Sequence, residues 1–231
     1  MADRTHRTLL DALGERIAAG ELAAGTVLTL AGIEAEYSVS RSVVREAVRV
    51  LEAMGLVEPR RRVGVTVRQR IHWHALDPRL IRWRLAGASR NQQIVALTEL
   101  RLAIEPTAAR FAATRAGADE REGILRLARR LDELGQAGAG ATDEYLRVDV
   151  AFHQEILAAS GNLMLAAISE PISEALSGRH ALGLTPADPT PESLHDHLAT
   201  AAAIARGDSA AAESASRSAL EGILDEVRRL L

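Results

Sequence analysis

Val39-Ser40-Arg41-Ser42-Val43-Val44-Arg45-Glu46-Ala47-Val48-Arg49-Val50-Leu51-Glu52-Ala53-Met54-Gly55-Leu56-Val57 carries two helical stripes at once. Val43, Val44, Ala47, Val48 and Leu51 recur at the spacing of one helix face, while Arg41, Arg45 and Arg49 recur every four residues along another. Ser38 and Ser40 stand ahead of the run as hydroxyls able to cap it, and Gly55 stops it. Such a helix buries one side and holds out three guanidiniums on the other, which suits pairing with guanine edges or phosphate oxygens. A solvated arginine face on an ordinary amphipathic helix has the same spacing, so the flanking segments decide.

Upstream, Leu9, Leu10, Leu13, Ile17 and Ala18 make a helical stripe within residues 4–19, closed by Gly20 and Gly25. Leu30, Ile33 and Ala35 to Tyr37 form a short second helix. Downstream, Leu56-Val57-Glu58, a turn-like Pro59-Arg60-Arg61-Arg62 and the β-branched Val63-Gly64-Val65-Thr66-Val67 predict a hairpin. Helix, helix, helix, hairpin is the order of a winged helix-turn-helix. The third helix would be the reader, and Arg61 and Arg62 would sit on a wing against the DNA backbone or minor groove.

The charge distribution agrees. The chain of 231 residues has a net charge of -3, but residues 39–70 hold eight arginines against three glutamates. Beyond residue 70, Leu76, Leu80, Ile81, Trp83 and Leu85 predict a linker helix over 71–90, broken by Ala86-Gly87-Ala88-Ser89. Residues 91–231 then alternate helical patterns (91–116, 119–135, 143–160, 162–183, 192–206 and 208–230) with loops at 136–142 and 185–191. The fold class is therefore mainly α: a winged helix-turn-helix domain over 1–70 and an antiparallel helical bundle over 91–231. With no cysteine, no signal-like N-terminus and no uncharged apolar run of about 18 residues, a cytoplasmic protein without a membrane partner is expected.

Within the bundle, Asp149 and His153 stand four apart and share a helix face, and His197 lies in a later helix. A salt-bridged or hydrogen-bonded histidine is the commoner explanation of the first two alone. All three together would suit a divalent cation such as zinc, with coordination positions left open for water or an effector carboxylate. A metal-dependent hydrolase using that trio is the rival class, although no general base stands out beside it.

The stretch from Val39 to Val57 resembles the GntR family of bacterial regulators almost position by position. The resemblance implies that Ser40, Arg41, Ser42, Arg45 and the wing glycine Gly64 lie at the DNA. It continues through Glu99-Leu100-Arg101-Leu102-Ala103-Ile104-Glu105-Pro106, Asp149 to His153, Ala159-Ser160-Gly161-Asn162 and His197 to Asp208, which look like the FadR-type branch with its effector-binding FCD domain. It implies Asp149, His153 and His197 as metal ligands, with Ala219 near the place of a fourth. Arg101 falls where the family has an inward-facing arginine, available to an effector carboxylate or to an ion pair with Glu105 or Asp149. The segment Trp73 to Trp83 is similar to regulators of sugar-acid catabolism. That likeness implies a polyhydroxylated carboxylate in a pocket of Arg101, Asp149, His153, Asn162 and His197, with helix capping the plainer role for Asn162. The expected molecule is a homodimeric repressor on operator DNA, released by a small carboxylate.

Overall fold

A computed structural model describes residues 2–60 and 63–230, and divides the chain into two compact units, residues 1–90 and 91–231. In the first unit, α1 (Ala2–Ala19), α2 (Leu30–Tyr37) and α3 (Arg41–Ala53) pack through Leu9, Leu13, Ile17, Ile33, Val44, Ala47 and Leu51, all at most 3% exposed. Each fully buried Leu or Ile contributes about 1.5–3 kcal/mol. The three strands β1 (Val27–Leu28), β2 (Val57–Arg60) and β3 (Gly64–Val67) form an antiparallel sheet in the order β1-β3-β2. Val65 and Val67 point into the core, and Glu58 and Arg60 point out.

Two local details differ from the sequence expectation. Ser38 does not cap α3; it ends α2 in the left-handed conformation (φ 52°), its N–H donating to Glu34 O. Ser40 is the N-cap residue of α3, but its side chain makes no capping bond and lies 2.9 Å from Ser42 Oγ. The hairpin also gains a third strand, β1, too short to show a period in sequence.

The segment expected as a linker over 71–90 contains α4 (Pro78–Ala86), capped by Asp77 and packed into the first unit. Trp83 is 4% exposed, and its Nε1–H donates to Asp11 Oδ1 at 3.1 Å. Its ring lies so close over Gly14 of α1 that a Cβ there would come within 2.4 Å of it. Only glycine leaves room for that indole.

The second unit is helical throughout: α5 (Arg90–Arg115), α6 (Ala118–Gln136), α7 (Asp143–Ala159), α8 (Leu163–Ala166), α9 (Ser169–Ala181), α10 (Pro191–Arg206) and α11 (Ser209–Leu230). Its core is short-chained. Ala108, Ala109, Ala112 and Ala113 on α5 are fully buried beside Ile124, Leu131, Leu157 and Ile204, so helices approach closely without large side chains. A Cβ on Gly135 of α6 would meet Leu194 of α10 at 2.4 Å, which marks one such close approach.

The single helix expected over 162–183 is two, α8 and α9. Pro171 has no N–H to donate to Ala167 O and its ring would crowd that carbonyl, so the helix restarts with Pro171 in the first turn of α9. Among the described residues, no helix is long and apolar enough to cross a membrane.

Candidate functional sites

The exposed side of α3 carries Arg41, Arg45 and Arg49, with Val44, Ala47, Val48 and Leu51 turned inward. Arg41 is 74% exposed and lies 3.9 Å from Glu34; Arg49 is 66% exposed and pairs loosely with Glu46 at 3.7 Å. At such exposure these ion pairs hold the side chains weakly, and the guanidiniums stay available to a polyanion. Ser40 and Ser42 are exposed at the same helix start.

Gly64 opens β3 with φ 137°, and a Cβ there would lie 2.1 Å from Leu28 O. Its glycine is thus required by the close pairing of β1 with β3. Arg61 and Arg62, the expected wing contacts, lie outside the described residues.

In the second unit a cavity of about 310 Å³ is enclosed by α5, α7, α9, α10, α11 and the loop before α10. α7 begins at Thr142, whose hydroxyl caps Tyr145 N, and the helix then projects Tyr145, Asp149, Phe152 and His153 inward. α10 begins at Thr190, which caps Ser193 N, and brings His197 to face α7. Asp149 Oδ1 lies 3.3 Å from both His153 Nε2 and His197 Nε2. The far nitrogens are held from behind: His153 Nδ1 is 2.7 Å from Glu105 Oε2, and His197 Nδ1 is 3.0 Å from Ser193 O. Both acceptors fix the rings so that Nε2 faces the carboxylate.

These three side chains fit a metal ion. Their ligand atoms all lie within 4.8 Å of one another, and buried Asp149 Oδ1 has no hydrogen-bond partner among the described residues. Two imidazoles and a carboxylate suit a borderline divalent cation. Ala219 lines the same cavity and supplies no donor.

Arg101 and Glu105, one turn apart on α5, are 1% and 3% exposed. Arg101 Nε donates to Glu105 Oε1 at 2.5 Å and Nη2 lies 3.3 Å from Oε2, a two-pronged pair; Nη2 is also 3.1 Å from His153 Nε2. Burial would raise the Glu105 pKa, but Arg101 and His153 outweigh it and hold the carboxyl at about 2. His153 shows the complementary effect. Burial and Arg101 work to lower it, yet the charge of Glu105 and the two carboxylates close to its ring raise it to about 8. Asp149, despite burial, is held well below its ordinary value by the two histidines.

Of the residues expected to meet an effector, Arg101, Asp149, His153 and His197 come together around this cavity. Asn162 does not. Its Oδ1 accepts from Met164 N as the cap of α8, and it is absent from the cavity wall. Sequence reasoning named Glu105 as an ion-pair partner open to Arg101 but missed that the same carboxylate also holds His153. It also missed Tyr145 and Arg179, and it took residues 185–191 for a plain turn. Thr185, Pro186, Pro189 and Thr190 are part of the wall.

Residues 5–67 match the model of the bacterial regulatory proteins of the gntR family, and residues 96–222 match the FCD domain. The chain is 31% identical over 232 residues to the galactonate operon transcriptional repressor of Escherichia coli K12, spanning 99% of this chain and 97% of the relative. It is 32% identical over 163 residues to the HTH-type transcriptional regulator YieP of the same organism, 70% of each chain. Among solved structures, Lar of Listeria monocytogenes superposes with a TM-score of 0.64 at 17% identity, covering 98% of this chain and 97% of that one. The hydrolase alternative finds no support, because the matched family and these relatives are transcriptional regulators. With both family models matched in chain order and a full-length relative at 31% identity, the chain belongs to the GntR family and is a DNA-binding transcriptional regulator with an FCD domain.

Proposed function

We propose that this regulator is a cytoplasmic repressor that leaves its operator when a small carboxylate, of the sugar-acid class, enters the cavity of the helical unit. The observation that carries this is the cavity itself, where buried Arg101 stands beside a carboxylate and two imidazoles in a volume suited to a small polar ligand. The similarity to a galactonate operon repressor names the first acid to try.

On the DNA side, Ser40, Arg41, Ser42, Arg45 and Arg49 contact the operator from the start of the reader helix, with Gly64, Arg61 and Arg62 on the wing. Serines and peripheral arginines hold phosphates, and Arg45 reads a base edge. The working form is a homodimer on half-sites about one helical turn apart. On the effector side, Asp149, His153 and His197 hold a divalent cation such as zinc, which when bound supplies a Lewis-acid centre for effector oxygens. Glu105 and the Ser193 carbonyl orient the imidazoles, and Arg101 receives a ligand carboxylate. Effector binding shifts the dimer away from the DNA-competent spacing, so DNA and effector weaken each other by the same factor.

A gel-shift titration against the chain's own upstream region, at fixed salt and with a panel of sugar acids, tests this. Specific binding released by one acid is the expected result. Absence of specific binding overturns the operator assignment, and equal effector affinity with and without operator DNA overturns the release mechanism.

A further inference from the structure

We infer that the loop of residues 182–190, between α9 and α10, is a lid over the cavity of the helical unit, latched on the loop between α6 and α7 and opened to let small molecules in. The inference goes beyond the effector reading above, and its test does not need the effector to be known.

Every other part of the cavity wall is helix, drawn from α5, α7, α9, α10 and α11, whereas this loop contributes Thr185, Pro186, Pro189 and Thr190. Its two ends are anchored. Leu184 N donates to Arg179 O at 2.9 Å, and Arg179 Nη2 donates to Leu184 O at 3.2 Å. At the other end Thr190 caps α10 through Ser193 N. Between these anchors, among the described residues, residues 185–189 are tied down by a single hydrogen bond, from Gly140 N to Ala187 O at 2.8 Å.

The seat of that bond is built for close approach. A Cβ on Gly140 would lie 2.4 Å from Pro186 O and 2.7 Å from the Pro189 ring, and one on Gly138 would lie 3.0 Å from Asp188 Oδ1. Gly140 is buried while Pro186, Ala187 and Asp188 are exposed, so the loop roofs the glycine with solvent beyond it. A helical wall moves only by unpacking a core. This segment has to break one neutral hydrogen bond, which shifts an equilibrium by only about two- to tenfold. Pro186 and Pro189 fix their own φ and restrict the residues before them, so the segment swings as a stiff flap between its anchors. With the flap down, the side chains of Asp149, His153 and His197 are 15%, 12% and 15% exposed. A molecule bound for them needs an opening, and the flap is the wall segment that yields at least cost.

The chain has no cysteine, so one introduced thiol reports access to the cavity. Ser216 lines the cavity from α11 and is 8% exposed, and Ser216→Cys is close to isosteric. Its alkylation by iodoacetamide is followed by mass spectrometry in the full-length, chelator-treated protein. Ser218→Cys, exposed on the same helix, and Ser160→Cys, fully buried outside the cavity wall, are the references. With each rate scaled to that of the same variant in denaturant, Ser216→Cys should react at least about tenfold more slowly than Ser218→Cys. Adding Gly140→Ala, whose methyl group lifts the flap, should speed Ser216→Cys about tenfold and leave both references unchanged. Pro189→Ala, which removes the ring seated on Gly140 without introducing a clash, should speed it about two- to fivefold. Unchanged rates in both loop variants overturn the lid, as does a thiol at residue 216 that starts as reactive as one at 218. So does an equal acceleration at residue 160, which means that the unit is merely destabilised. Saturating galactonate should protect the thiol at residue 216; if it does not, the sugar-acid reading falls, and the rates of the loop variants alone decide the lid.

Discussion

Glu105 is the acid on which two cations of the cavity wall depend, and breaking that arrangement should be more damaging than dismantling it. Arg101 is 1% exposed, and its two-pronged pair with Glu105 at 2.5 and 3.3 Å is sealed inside the helical unit, with His153 Nδ1 on the same carboxylate at 2.7 Å. Removing one partner of a buried pair strands the other charge at a cost of about 3–5 kcal/mol, whereas replacing both by apolar groups of similar size is nearly neutral. Glu105→Leu and Arg101→Met alone should each destabilise by that amount. The double variant should recover a large part of it, short of full recovery because His153 still loses its acceptor. For a unit of this size the single changes correspond to a fall in melting temperature of about 10–15 °C.

The assay separates the two units. Both tryptophans, Trp73 and Trp83, lie in residues 1–90, so tryptophan fluorescence follows the first unit while far-ultraviolet circular dichroism follows both. The helical transition of the chelated protein should move down in the single variants and the fluorescence transition should stay in place. A loss below about 1 kcal/mol in Glu105→Leu, or a double variant as unstable as the sum of the singles, would refute the reasoning.

Arg45→Ala should weaken specific operator binding by about 1–3 kcal/mol and relax discrimination at one base position; an equal loss on all sequences, read by competition gel shift, would make Arg45 a phosphate contact instead. His153, raised from 6.5 to about 8 by its acids, contributes stability that is fully present below pH 6.5 and lost as pH climbs through 8. The chelated protein should therefore lose about 2 kcal/mol between pH 6 and pH 9, a loss that His153→Gln abolishes; a flat stability profile by denaturant titration contradicts it. Ala219→His should strengthen zinc retention by about 10–100-fold in competition with a chromophoric chelator, and unchanged affinity would place residue 219 away from the ion.

How much of this was legible in sequence depended on how local each cause is. The stripes of α3 and the β-branched run of β3 announce themselves because one helix or strand carries its whole pattern. The two-residue β1 carries no period, and it is needed because β3 requires an edge partner where Gly64 passes Leu28 O. The break at Pro171 was readable from the residue alone but was overridden by the apolar pattern around it. At the cavity, Asp149 and His153 are neighbours on one helix and could be paired on paper. Arg179 reaches the cavity that Arg101 also lines only because α9 packs against α7, and before folding it resembles any basic residue near a helix C-terminus. Asn162 failed for the opposite reason: a cap satisfies its side chain locally, so nothing is left for the cavity.

The loop of residues 182–190 bears on how such a protein changes over generations. It is the part of the cavity wall not made of helix, and Gly140 N donates to Ala187 O at 2.8 Å, so the loop is tied down while its side chains are not packed between helices. Thr190 is constrained as the cap of α10, where serine, aspartate or asparagine alone would serve. Thr185 has no such duty as a cap. Substitution at Thr185 can therefore reshape the cavity wall without disturbing the alanine-packed bundle, so one scaffold can present different cavities through changes at a single loop position.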